Sequence, residues 1–99
     1  MARPRRAVKP DTNQPQIVAD LEARGFLVMN VSRWLSTPDL FVWGQTPEGF
    51  EFWSAWEIKV PGGKLTRTQR EFMATWPGAV LEARSVDDIL AHYGHTQGE

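Results

Sequence analysis

Residues 55–72 read "AWEIKVPGGKLTRTQREF", and the fold turns on how this stretch is parsed. Two periodicities meet in it. Upstream, residues 50–60 ("FEFWSAWEIKV") are rich in aromatic and branched residues and predict a strand. Period two places Trp53, Ala55, Glu57 and Lys59 on one face and Phe52, Ser54, Trp56, Ile58 and Val60 on the other. "PGGKL" (61–65) breaks the strand. Residues 66–76 then predict a helix, because Thr66 and Gln69 stand at capping-box spacing.

Working outward, "PGAVLEA" (77–83) is a turn and a further strand. "SVDDILAHYG" (85–94) is a short helix with Ser85 as its cap and Asp87 and Asp88 in the first turn, where the helix dipole favours them. Towards the N-terminus, "FLVMNV" (26–31) and "DLFVWG" (39–44) predict two more strands, joined by the loop 32–39. "QTPEG" (45–49) makes a hairpin with the 50–60 strand. "DTNQPQIVADLEARGF" (11–26) predicts a helix capped by Asp11, Thr12 or Asn13, with Pro15 in its first turn and Gly25 just past its end. The order is α-β-β-β-α-β-α. The first three strands should be antiparallel, and a helical crossover should make the last pair parallel. The expected fold class is α/β: a mixed four-stranded sheet flanked by helices.

A chain of 99 residues predicts one domain, placed at 11–94, and buries only roughly 60–65% of its unfolded surface. Five Trp and five Phe are a heavy apolar load for that core, and the surplus points to a homodimer surface. The absence of Cys excludes disulfides and thiolate metal sites. No apolar run has membrane-spanning length and "MARPRRAVKP" has no signal-type apolar region, so a cytoplasmic protein without a membrane partner is expected. Arg3, Arg5, Arg6 and Lys9 make residues 1–10 a basic, flexible arm, whereas the remainder holds 7 basic and 12 acidic residues. Such an arm serves either as a phosphate contact or as a solvated tail. Residues 95–99 read as a frayed end.

The hairpin carries the start of the 39–44 strand towards the end of the 50–60 strand, so Asp39 approaches Glu57. Counted from Thr46–Pro47, Asp39 is eight residues back and Glu57 ten on; register or a bulge must absorb the difference. Two carboxylates and the Ile58 carbonyl form a hard-oxygen set suited to Mg²⁺ or Mn²⁺. Lys59 beside them would hold a phosphate oxygen or a metal-activated water, as metal-assisted phosphodiester hydrolysis requires. Taken alone, Glu57 and Lys59 read more readily as a solvated ion pair than as a site, and Asp39 reads as a turn residue. Arg33, Lys64, Arg67 and Arg70 flank this region and are candidate phosphate contacts; Trp34 is a candidate for stacking on an unpaired base. His92 and His95 lie far from the carboxylates in sequence and receive no ligand role.

"PD" (38–39), "EIK" (57–59) and the element order resemble the PD-(D/E)xK nuclease signature, whose fold is the restriction-endonuclease-like αβββαβ core. More narrowly, "NQPQIV", "LEARGF", "PDLFV", "WEIKVPGGKLTRTQREF" and "SVDDIL" resemble the small stand-alone virus-type replication-repair nucleases, a phage-associated group related to Holliday-junction resolvases. The similarity spans about residues 11–93. It implies metal ligation by Asp39, Glu57 and the Ile58 carbonyl, Lys59 as the catalytic lysine, and Gln69 as a polar group near the site. It also implies a Mg²⁺- or Mn²⁺-dependent endonuclease acting on double-stranded or branched DNA, in the host cytoplasm if phage-encoded. Relatives often carry a Glu on the first helix; here Gln14 or Gln16 stands in its place as an auxiliary, uncharged group. That departure keeps open a second expectation, a weakly active or inactive relative serving as a DNA- or partner-binding module.

Overall fold

The computed structural model describes residues 12–32 and 38–95. The basic arm, Asp11, Arg33, Trp34 and residues 96–99 lie outside the described residues. The elements run α1 (Gln14–Ala23), β1 (Leu27–Asn30), β2 (Leu40–Gln45), β3 (Glu51–Ile58), α2 (Arg67–Thr75), β4 (Val80–Ala83) and α3 (Val86–His92). The protein is α/β, with one sheet in the order β1-β2-β3-β4. β1–β2 and β2–β3 are antiparallel and β3–β4 is parallel, as the connection lengths require.

α1 begins at Gln14 with Pro15 in its first turn, where a missing N–H costs no hydrogen bond. It buries Ile17 and Leu21, one helical turn apart. The helix stops at Gly25, whose φ of 91° is the left-handed conformation that glycine adopts without strain. Of the three candidates to cap α1, Asn13 stands at the cap position, but its side chain makes no cap bond and points its amide elsewhere. Ser85 likewise makes no side-chain cap on α3; Asp88 instead accepts the Arg84 N–H at 2.7 Å. Thr66 and Gln69 do form the reciprocal capping box at the start of α2.

Strand pairing sorts the side chains into two unlike faces. Val28, Leu40, Val42, Phe52, Ser54, Trp56, Ile58, Leu81 and Ala83 share one face, by register, and this face carries the core under α1 and α3. Tyr93, fully buried, anchors it. Its ring stacks on Phe52 at 4.4 Å, and its hydroxyl donates toward Val42 O and Phe52 O and pairs with Ser54 Oγ at 2.8 Å. His92 packs edge-on against Phe52 and Trp56. His95, expected in the frayed end, is tied in by its ring to Gln45 O and by its N–H to Leu90 O. The other face holds Leu27, Met29, Phe41, Trp43, Trp53, Ala55 and Glu57. α2 rests on this side through Trp76 against Phe41, ring centroids 6.2 Å apart, and buries no residue of its own. Leu27, Met29 and Trp53 are therefore 55%, 50% and 50% exposed.

The β2–β3 connection is five residues, Thr46 to Phe50, closed by Thr46 N–H to Phe50 O and turned at Gly49. Its midpoint is Glu48 rather than Thr46–Pro47, and this centring absorbs the count mismatch between Asp39 and Glu57. β3 ends at Ile58, so Lys59 and Val60 follow the strand rather than belong to it. Lys59 still adds one rung, its N–H donating to Ala83 O at 3.0 Å. Among the described residues no helix is long and apolar enough to cross a membrane.

Candidate active site

The ends of β2 and β3 gather the polar residues that the sequence singles out. Pro38 is buried and delivers Asp39 one residue before β2. The Asp39 main chain gives its N–H to Trp56 O at 2.9 Å and takes the Val31 N–H at 3.0 Å, so this residue is held from both neighbouring strands. Its side chain accepts the Ile58 N–H at 2.8 Å through Oδ2. Asp39 thus brackets Glu57, touching the residue before it and the residue after it.

Glu57 is 7% exposed, one of two buried polar residues in the described chain. A buried carboxylate needs hydrogen bonds or a cation to offset its desolvation. Gln69 supplies one such bond, Nε2 donating to Glu57 Oε2 at 3.2 Å. The Gln69 Oε1 accepts the Thr66 N–H at 2.8 Å and the Lys59 ammonium at 3.4 Å. A single carboxamide therefore caps α2 and links Glu57 to Lys59. Cap and site roles coexist because the N-terminus of α2 opens at the end of β3.

Asp39, Glu57, Lys59 and Gln69 are thus assembled within one contact network, with the Ile58 main chain inside it. The oxygen donors are hard and anionic, which fits a divalent cation of the Mg²⁺ or Mn²⁺ kind rather than a soft metal. Among the described residues no three His, Cys, Asp or Glu side chains form a group that could hold a metal. Protein ligation at this edge would accordingly be two carboxylates and a carbonyl, the remaining positions being left to water or substrate.

The remaining candidates separate by place. Gln14 is 1% exposed and donates to Asn30 Oδ1 at 3.2 Å; its own Oε1 is buried without a hydrogen-bond partner. Gln16 is exposed and donates to Asp20 one turn along α1. Between the two, only Gln14 is built into the interior. Lys64, Arg67 and Arg70 are exposed around the start of α2. Arg67 pairs with Glu71 at 3.0 Å, and Arg70 donates to Leu65 O at 2.9 Å. Exposed pairs of this kind contribute little to stability and leave the cations available to solvent.

Two charged residues were missed by sequence reasoning. β3 and β4 run in parallel register with Glu57 beside Glu82 and Ile58 beside Ala83. "EIK" (57–59) and "EAR" (82–84) are therefore aligned triplets, each ending a strand. Arg84 pairs with Glu82 and also donates to Gly63 O in the "PGG" loop. The Glu-x-cation spacing is visible in both segments, but only the register brings them side by side. Comparison of the chain with protein-family models, with curated proteins and with solved structures finds no match.

Proposed function

We propose that this protein is a Mg²⁺- or Mn²⁺-dependent DNA endonuclease of the PD-(D/E)xK class, with a restriction-endonuclease-like core. The bracketing of Glu57 by Asp39 carries the proposal: Asp39 holds the main chain on either side of Glu57, and Gln69 bonds both the Glu57 carboxylate and the Lys59 ammonium at the same sheet end. In this reading Asp39, Glu57 and the Ile58 carbonyl hold the cation. Once bound, the ion supplies an activated water and neutralises charge developing on the phosphate. Lys59 orients a phosphate oxygen or that water. Gln69 holds Glu57 and Lys59 in mutual register. Lys64, Arg67 and Arg70 contact the DNA backbone, so binding weakens with salt. Arg33, as a phosphate contact, and Trp34, as a stacking residue, complete the proposed DNA-binding set.

The reading takes the protein as a homodimer on branched or double-stranded DNA, since two sites across a two-fold axis match a symmetric junction. The face bearing Leu27, Met29, Trp43 and Trp53 supports a second copy as its cover. These side chains carry no charge, so this patch offers apolar area to a symmetry mate.

A second reading, a weakly active or inactive module of the same fold, is favoured by Gln14. Its amide is committed to Asn30 and brings no negative charge for a further cation. Cleavage of plasmid, flap and four-way-junction DNA with Mg²⁺ or Mn²⁺ separates the two. The endonuclease reading expects cutting by the wild-type protein and cutting lowered by at least about a hundredfold in Asp39→Asn and Lys59→Ala. Identical products from all three proteins would overturn it.

A further inference from the structure

Asn13 occupies the position before α1 where a side-chain oxygen ordinarily accepts a helix N–H. It forgoes that role. Its backbone is helical, with φ −85° and ψ −7°, and its side chain makes no cap bond. Instead Nδ2 donates to Lys59 O at 3.1 Å and to Arg84 O at 3.0 Å, across 46 and 71 residues of sequence. The last rung between the two strands is Lys59 N–H to Ala83 O. Beyond it the strands part, β3 into the "PGG" loop and β4 into α3, and Asn13 supplies a hydrogen to a carbonyl on each. The amide orientation follows from its partners: a carbonyl oxygen turned towards two carbonyl oxygens would be repelled. Asn13 Oδ1 is buried with no hydrogen-bond partner, so only the donor end of the amide is engaged.

We infer that Asn13 is a positioning residue for the candidate site: by holding the carbonyls of Lys59 and Arg84 it sets where the cations ending the two aligned triplets stand. The inference rests on the endonuclease reading for its functional consequence, although the clamp itself does not. Lys59 lies past the end of β3, with one ladder rung behind it and a glycine pair ahead at Gly62 and Gly63. Without Asn13 its main chain is anchored from one side only. Its ammonium bond to Gln69 Oε1, 3.4 Å long, is weak enough to be lost on a small shift. Arg84 is fixed by the same amide and ties Gly63 O, so displacement of either carbonyl also moves the loop that leads to Lys64.

Asn13→Asp keeps the shape and removes both donors; Asn13→Ala removes the amide. Backbone hydrogen exchange of both variants is compared with wild type, together with kcat and KM on a DNA that the wild-type protein cuts. We expect faster exchange at the Lys59 amide, unchanged exchange at core amides such as Val42, and kcat lowered about ten- to hundredfold at similar KM. The loss should disappear when Asn13→Ala is combined with Lys59→Ala, because both act through the lysine. Exchange at Lys59 equal to wild type overturns the inference. So does exchange raised evenly across the sheet with additive losses, which marks Asn13 as part of the general fold. If the variants fail to fold, Asn13→Ser, which leaves a hydroxyl donor, is measured in the same way. Absence of any cleavage by the wild-type protein counts against the endonuclease reading instead, and exchange at Lys59 still decides the clamp.

Discussion

Asp39 accepts the Ile58 N–H at 2.8 Å and gives its own N–H to Trp56 O at 2.9 Å. An acidic side chain is thereby locked against the strand that carries Glu57. The carboxylate satisfies a strand-end amide and is also a candidate cation ligand, so removal of its charge and removal of its acceptor oxygen have different consequences.

Asp39→Asn retains an acceptor for the Ile58 N–H and should fold, yet lower cleavage by at least about a hundredfold. Asp39→Ala should also lose about 1–3 kcal/mol of stability, because the amide of Ile58 is left without its partner. Urea titration reads the second effect. Saturating Mg²⁺ or Mn²⁺, at about 100 times Kd, should stabilise the wild-type protein by about 2.7 kcal/mol and leave Asp39→Asn unmoved. Equal stabilisation of the two proteins would place the cation elsewhere.

Gln69 and Thr66 share the capping box, but only Gln69 reaches Glu57 and Lys59. Thr66→Ala should therefore cost about 1 kcal/mol and leave cleavage nearly intact. Gln69→Ala should cost a similar amount and depress kcat as well. Equal activity in the two variants at a temperature where both are folded would reduce Gln69 to a cap.

Gly44 lies under the ring of Phe26, and a Cβ there would stand 2.2 Å from Phe26 Cε2. That ring is itself packed edge-on against Tyr93 and His95 and has little room to retreat. Gly44→Ala should destabilise by about 1–3 kcal/mol, measured as a fall in urea midpoint. A midpoint unchanged from wild type would mean that the C-terminal turn holding His95 gives way freely.

Burial pushes the Tyr93 hydroxyl above its usual 10.0, partly offset by its bonds to Ser54 and to the Gly44 backbone. The folded state thus holds this proton more tightly than the unfolded chain does. The contribution is complete below the unfolded value and is lost as pH rises through the folded one. Tyr93→Phe should be the less stable protein at roughly pH 8, by about 1 kcal/mol for the lost hydrogen bonds. The gap should narrow or reverse at roughly pH 11. A gap that does not change with pH would show that folding leaves the Tyr93 hydroxyl at its unfolded value and that burial does not raise it.

Much of the scaffold was legible because local chemistry repeats itself. Pro15 and Gly25 bound α1, Thr66 and Gln69 open α2, and period two in residues 51–58 assigns Glu57 to the face away from Trp56 and Ile58. Caps were less legible. Asn13 and Ser85 are residues that ordinarily cap, and neither does, because longer-range partners compete for the Asn13 amide and Asp88 serves the turn before α3. The hairpin centre falls at Glu48, just past Thr46–Pro47, because Thr46 and Gly49 together select a five-residue loop.

The amino-acid sequence by itself determined the element order, the α/β class and the gathering of Asp39, Glu57, Lys59 and Gln69 near one hairpin and one helix start, since each depends on neighbours within a few residues or across a short loop. Only the tertiary structure decided that "EAR" lies in register beside "EIK", that Gln14 rather than Gln16 is buried, and that Asn13 joins two strand ends. The physical reason is sequence distance. Parallel register across a helical crossover, and a hydrogen bond spanning 46 or 71 residues, are chosen by how the helices pack on the sheet, and no local propensity encodes that choice.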